Sequence, residues 1–153
     1  MRVDYFTAAP GVVRAMYALE GYLNKEAAGA DKLPKRLLEL VKIRASQLNH
    51  CAYCLDMHTK DARAIGETEQ RIYALSAWRE TPFFDARERA ALSWTEALTR
   101  LTEGLVTEEV FEEVRVHFSD RELSDLTLAI ATINAWNRFG VAFAPDVGSY
   151  QPA

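Results

Sequence analysis

The segment "CAYCLDMH" holds both cysteines of the chain, Cys51 and Cys54, and one of its three histidines, His58. On an α-helix each residue turns by about 100°, so positions i, i+3 and i+7 share one face, within roughly 60° of one another. His58 then lies one turn beyond Cys54, within reach of its sulfur. Asn49 and His50 read as the turn into this helix, which puts Cys51 in the first turn, where unpaired backbone N–H groups stabilise a thiolate. Two thiols and an imidazole on one stripe can attack, close a disulfide and move a proton. The same residue types also suit a permanent staple or a metal site.

The staple is the weakest of the three. Cysteines three apart close too short a loop to constrain the unfolded chain much, and the expected compartment, the cytoplasm, keeps thiols reduced. Zinc would draw on Cys51, Cys54 and His58, with Glu39 or His50 completing a tetrahedron. Structural zinc sites usually use two separated ligand pairs, whereas this chain has one tight cluster and no second C-x-x-C. Neither a metal nor another cofactor is expected.

A base can come from the preceding segment, "RLLELVKIRAS". Glu39 lies there among apolar neighbours, and Ser46 follows seven residues on, two turns along the same stripe. Lys35, Arg36 and Lys42 stand at pairing distance from Glu39, so on pattern alone a solvated charge is the plainer reading.

These residues need helices to position them, and the chain reads as all-α, with helical periodicity broken seven times by caps. The first helix is expected from about Ala8 to Ala28, with Pro10 in its first turn and Gly29 near its end. The second starts near Pro34, with Leu37, Leu38, Val41, Ala45 and Leu48 as its apolar stripe. The third carries the cysteines and stops at Gly66; the fourth, "ETEQRIYALSAWRE", ends before Pro82. Asp85 with Glu88 forms a capping box for the fifth, which Gly104 terminates. Thr107 caps the sixth, with Val110, Phe111, Val114 and Phe118 facing inward. Ser119 with Glu122 opens a long last helix to about Phe139. The tail from Gly140 is expected to be irregular, draped over a neighbour or partly disordered.

The chain has 153 residues, 49% of them hydrophobic and 26% charged, which suits one domain over 1–153 with its own core. A net charge of −4 argues against nucleic acid or an anionic membrane surface as partner. No window approaches 18 uncharged apolar residues, so no membrane span is expected, and "MRVDYFTAAPGVVRAMY" has no leader-like apolar stretch.

Taken together, Glu39, Ser46, Cys51, Tyr53, Cys54 and His58 resemble the E-x6-S-x4-C-x-Y-C-x3-H signature of the alkylhydroperoxidase D-like branch of the carboxymuconolactone decarboxylase superfamily. The likeness centres on about residues 34–66. It continues through "GETEQRIYALSAWRETPFF" and "LTLAIATINAWNRFGVAF", and so covers most of the chain. The resemblance implies an all-α fold, assembly into trimers or hexamers, and a peroxidase that reduces hydroperoxides through a dithiol/disulfide cycle. It implies Cys54 as the attacking thiolate and Cys51 as the resolving partner. His58 and Glu39 would relay protons, with Ser46 and Tyr53 in supporting or substrate-binding positions. The reductant would be a thiol, or a lipoyl- or thioredoxin-like protein. Tyr53 stands where the founding enzymes carry a second histidine, and a phenol with pKa near 10 is no base at pH 7. Members that decarboxylate a muconolactone generally lack the cysteine pair, so that activity is not expected.

A different class of function uses the same dithiol without turnover: an oligomer that senses oxidants and signals to a partner. The near-continuous apolar run from Leu126 to Ala135 suits either a central core helix or burial between subunits. Asn134, Asn137 and Arg138 close to it need partners, and are expected to fix a helix terminus or an interface. His117 reads as structural, and Trp78, Trp94 and Trp136 as core or interface.

Overall fold

Nearly every cap legible in the sequence starts a helix where expected, and the result is an all-α bundle. The computed structural model describes residues 1–28, 32–104 and 106–152. Among them lie eight α-helices and no strand. These are α1 (Tyr5–Ala8), α2 (Pro10–Tyr22), α3 (Lys35–Leu48), α4 (Ala52–Ala64), α5 (Glu69–Ala74), α6 (Ala86–Thr99), α7 (Glu108–Arg115) and α8 (Asp120–Phe143). Both capping boxes form, Asp85 with Glu88 and Ser119 with Glu122, and Thr107 caps α7 through the N–H of Val110. Gly66, at φ 91°, takes the left-handed conformation just past the end of α4.

The expected first helix begins at Pro10, close to the expected Ala8, and an unexpected separate turn, α1, precedes it. Ala9 (φ −140°, ψ 64°) leaves the helical region, because the residue before a proline is pushed out of it, and Pro10 becomes the first residue of a new helix. Asp4 caps the extra turn, and α2 ends in a π-helical turn over Leu23–Ala27. Gly29 lies outside the described residues. The expected fourth helix divides, α5 passing into a 3₁₀ segment over Leu75–Glu80 in which Ala77 is non-helical.

Helix α3 sits at the centre and is buried nearly all round. Leu37, Leu38 and Val41 pack with Ala90, Ala91 and Trp94 of α6 and with Leu126, Ala129 and Ile130 of α8. Leu40 and Ile43, outside the expected stripe, pack on the opposite side against Leu75, Trp78 and Leu92. Ala45 meets Cys51, Cys54 and Ile133. The apolar run of α8 is therefore buried within its own chain, with Leu126, Ala129, Ile130 and Ile133 all but inaccessible. No helix among the described residues is long and apolar enough to cross a membrane.

Helix α8 runs one turn further than expected, to Phe143. Tyr5 packs at a tilt against the end of α8, with ring centroids 5.2 Å from Phe139 and 5.4 Å from Phe143. The following tail is irregular, as expected, but it folds back onto its own chain. Lys60 donates to the carbonyls of Gly148 (3.2 Å) and Tyr150 (2.9 Å), and the Gly148 N–H donates to Asp56 (3.1 Å).

Candidate functional site

Cys51 is the N-cap of α4 rather than a residue of its first turn. Its backbone is extended (φ −87°, ψ 95°), and its sulfur accepts the N–H of Cys54 at 3.4 Å. The turn before it is made by His50, in the left-handed region at φ 55° and exposed to solvent. A backbone bond from the Cys51 N–H to the Ser46 carbonyl, 3.0 Å, ties the start of α4 to the end of α3. Cys51 and Cys54 are joined as a disulfide, with Cα atoms 5.4 Å apart. Both are buried, yet only Cys54 reaches the wall of the main cavity, which has a volume of about 550 Å³.

Gly140 of α8 sits directly behind the pair. A Cβ there would collide with Cys51 Sγ and lie 3.3 Å from Cys54 Sγ, so the close approach of α8 to the dithiol requires a residue without a side chain. The apolar sequence around Gly140 carries no sign of this role.

Glu39 is not the solvated charge that pattern alone suggests. It leaves α3 into the cavity, where Oε2 lies 2.9 Å from His58 Nδ1 and Oε1 accepts from Lys42 Nζ at 3.2 Å. Burial would raise the Glu39 carboxyl, but the hydrogen bonds and charges of His58 and Lys42 outweigh it and hold the group below its ordinary value. Lys42 is buried too; Glu39 and, at 3.8 Å, Glu20 outweigh that desolvation and keep its ammonium charged. Trp136 closes this end of the network by donating to Glu20 at 3.1 Å. At the other end Asp61 Oδ2 stands 3.9 Å from His58 Nδ1 and Oδ1 accepts from the Tyr150 hydroxyl at 2.7 Å. Burial and this bond to Asp61 push the Tyr150 phenol well above its usual range.

With one carboxylate on Nδ1, the second imidazole nitrogen is left to exchange a proton in the cavity. No hydrogen bond runs from His58 to either sulfur, although His58 and Cys54 share the cavity wall. Tyr53 lines the same wall.

Ser46 is not brought to the cavity. Its hydroxyl is fully buried and accepts from Asn137 Nδ2 at 3.0 Å. Asn49 Nδ2 donates to Asn137 Oδ1 (2.8 Å) and Asn134 Oδ1 (3.0 Å), so this cluster locks the C-terminus of α3 to α8. Arg138 adds bonds to the Asn134 carbonyl and side chain. The asparagines thus fix a helix terminus, one of their two expected uses.

The zinc set is not assembled. The two sulfurs are bonded to each other and His50 faces solvent. The described side chains that gather ligating atoms within 4.8 Å are Glu39, His58 and Asp61, and the Lys42 ammonium already sits against this group. Trp78 and Trp94 are core residues, whereas Trp136 lines the cavity. Lys42 pairs with Glu39 as its spacing suggests, whereas the roles of Glu20, Asp61, Gly140 and Tyr150 escape sequence reasoning, because they depend on contacts between distant helices.

The carboxymuconolactone decarboxylase family model matches residues 10–97. The uncharacterized protein YdfG of Bacillus subtilis is 43% identical over 148 residues, 97% of each chain. A solved protein of unknown function from Agrobacterium tumefaciens, provisionally assigned to antioxidant defence as AhpD, is 41% identical. It superposes with a TM-score of 0.88 over 99% of this chain and 98% of its own. An uncharacterized peroxidase-related protein from Silicibacter sp. TM1040 is 28% identical, with a TM-score of 0.76 over 89% of this chain and 70% of its own. The chain belongs to the carboxymuconolactone decarboxylase family, on its alkylhydroperoxidase D-like side.

Proposed function

We propose that the protein is a thiol-dependent peroxidase in which Cys54 attacks a hydroperoxide and Cys51 resolves the product. The supporting observation is that Cys54, and not Cys51, shares the wall of the cavity with the Glu39–His58 pair. Access favours Cys54: the backbone N–H supports a Cys51 thiolate and both sulfurs are buried, but Cys54 is the one on the cavity wall.

In the first step the Cys54 thiolate attacks the terminal peroxide oxygen. The S–O bond forms, the O–O bond breaks, and the alkoxide leaves as the alcohol after taking a proton. His58, its Nδ1 held by Glu39, takes the Cys54 thiol proton through water as general base and returns it to the departing alkoxide. In the second step the Cys51 thiolate attacks the sulfenic sulfur, the S–S bond forms and hydroxide leaves as water on protonation. Two electrons from a dithiol, small or carried on a lipoyl- or thioredoxin-like protein, regenerate both thiols. No metal or cofactor takes part. Trimers or hexamers are the proposed assembly.

The test is peroxide consumption by the reduced protein with a dithiol recycler. Many turnovers per chain support the enzyme; a single oxidation per chain, with no further consumption in excess recycler, leaves an oxidant sensor instead.

A further inference from the structure

The C-terminal segment 144–152 is held against the motif helix as a strap, and its purpose is not explained by the dithiol cycle. Three anchors fasten it. Lys60 donates to two of its carbonyls, the Asp56 carboxylate accepts the Gly148 N–H, and the Tyr150 hydroxyl donates to Asp61 at 2.7 Å. Together they deliver Tyr150 and Pro152 to the wall of the dithiol cavity, beside His58. Lys60 itself does not line the cavity. Apart from the charged network, Lys35 and Asn24, the remaining wall is built mostly from aromatic and aliphatic side chains, among them Tyr5, Tyr17, Met57 and Trp136. A cavity of about 550 Å³ lies within the range that holds a molecule of drug size and is far larger than hydrogen peroxide requires.

We infer that the strap is the specificity wall of this cavity, in which Tyr150 and Pro152 close over the apolar body of the substrate. The class selected is a neutral hydroperoxide carrying an aromatic or branched apolar group. The assignment of a peroxide as substrate rests on the function proposed above; the binding of the apolar body does not. A body packed between Tyr150 and the opposite aromatic wall leaves water on binding, and the wall stays in place because Lys60 and Asp56 hold the strap backbone from below.

The experiment uses the full-length oxidised protein and 2-phenyl-2-propanol, the alcohol product of cumene hydroperoxide, with affinity read by calorimetry. Lys60→Met, which frees two strap carbonyls, and Tyr150→Gly, which removes the ring, should each weaken binding by about tenfold or more. Tyr150→Phe keeps the ring and should stay within about twofold of wild type. Circular dichroism and retained disulfide closure confirm folding of each variant. In turnover, the efficiency with cumene hydroperoxide relative to hydrogen peroxide should fall in Lys60→Met, through KM rather than kcat. No binding of the alcohol to wild type, or equal affinity in wild type and both weakened variants, overturns the wall. Equal loss in Tyr150→Phe and Tyr150→Gly assigns the effect to the Asp61 bond and overturns it as well. If the binding pattern holds while wild type consumes neither peroxide, the wall stands and the peroxidase fails.

Discussion

Glu39 Oε2 and His58 Nδ1 lie 2.9 Å apart across 19 residues of chain, one on α3 and one on α4. This contact brings two polar residues together on the cavity wall that Cys54 also lines. Glu39→Gln and His58→Ala should each slow the first oxidation of the dithiol, by roughly 10²-fold if the pair acts as general base. Both variants should still titrate two thiols when reduced and none after peroxide. The check is stopped-flow oxidation with thiol counting; an unchanged rate in both removes the pair from the mechanism.

The same pair makes stability depend on pH. The Glu39 carboxyl is held below its ordinary value of 4.5, so its ionised form is favoured in the folded state. Its contribution is fully present above that value and is lost as pH falls from 4.5 through the lower folded value. Lys42 behaves in the opposite sense: its raised value adds stability below 10.5, lost as pH climbs beyond it. Denaturant titrations of wild type and Glu39→Gln should converge as pH falls below about 4, a bound set by ordinary carboxyl titration. Parallel curves would show that the folded site does not favour the carboxylate.

The two cysteines should divide the reaction. Cys54→Ser should abolish the first reaction with peroxide, since a hydroxyl at neutral pH is a poor nucleophile. Cys51→Ser should react once and accumulate a sulfenic acid on Cys54, because no resolving thiol remains. Trapping with a sulfenic-acid reagent and mass spectrometry decides this. A sulfenic acid on Cys51 in the Cys54→Ser protein, with none on Cys54 in the reciprocal variant, reverses the roles.

Gly140 should not accept a side chain. In Gly140→Ala the new methyl meets Cys51 Sγ, and α8 must retreat from the dithiol or the sulfurs must move. Overpacking of this kind costs about 1–3 kcal/mol. Thermal melting of the oxidised protein should register the loss, and Gly140→Ala should also slow disulfide closure. An unchanged melting temperature would mean that the contact relaxes freely.

Assembly should involve the outer face of the N-terminal helices. The apolar run of α8 is consumed inside the chain, but Phe6 of α1, Val12 and Tyr17 of α2 and Val141 of α8 remain exposed, and α2 packs against both α1 and α8. Light scattering should give a multiple of the 17.3 kDa chain mass, and Tyr17→Glu should lower it. A monomer at micromolar concentration would refute the trimer or hexamer.

The sequence by itself determined the helices and their ends, because caps, prolines and apolar periodicity act within a few residues of one another. Asp85 with Glu88, Ser119 with Glu122, and Thr107 behave as their local chemistry requires. It also determined that Cys54 and His58 share one face of α4, since helical spacing alone sets that, while Cys51 stands just outside the helix as its N-cap. Where the local signal was weak, as in the short turn Tyr5–Ala8, the reading missed a helix that Ala9 separates from the one starting at Pro10. Only the tertiary structure decided which charges are buried. Glu39 among lysines looks solvated until α4 supplies His58, and Ser46 looks like a companion of Glu39 until α8 claims its hydroxyl through Asn137. Gly140, Asp61 and Tyr150 become part of the site through contacts spanning 89 residues or nearly so, such as that between Asp61 and Tyr150. Burial and long-range hydrogen bonds depend on which helix packs against which, and no window of sequence contains that information.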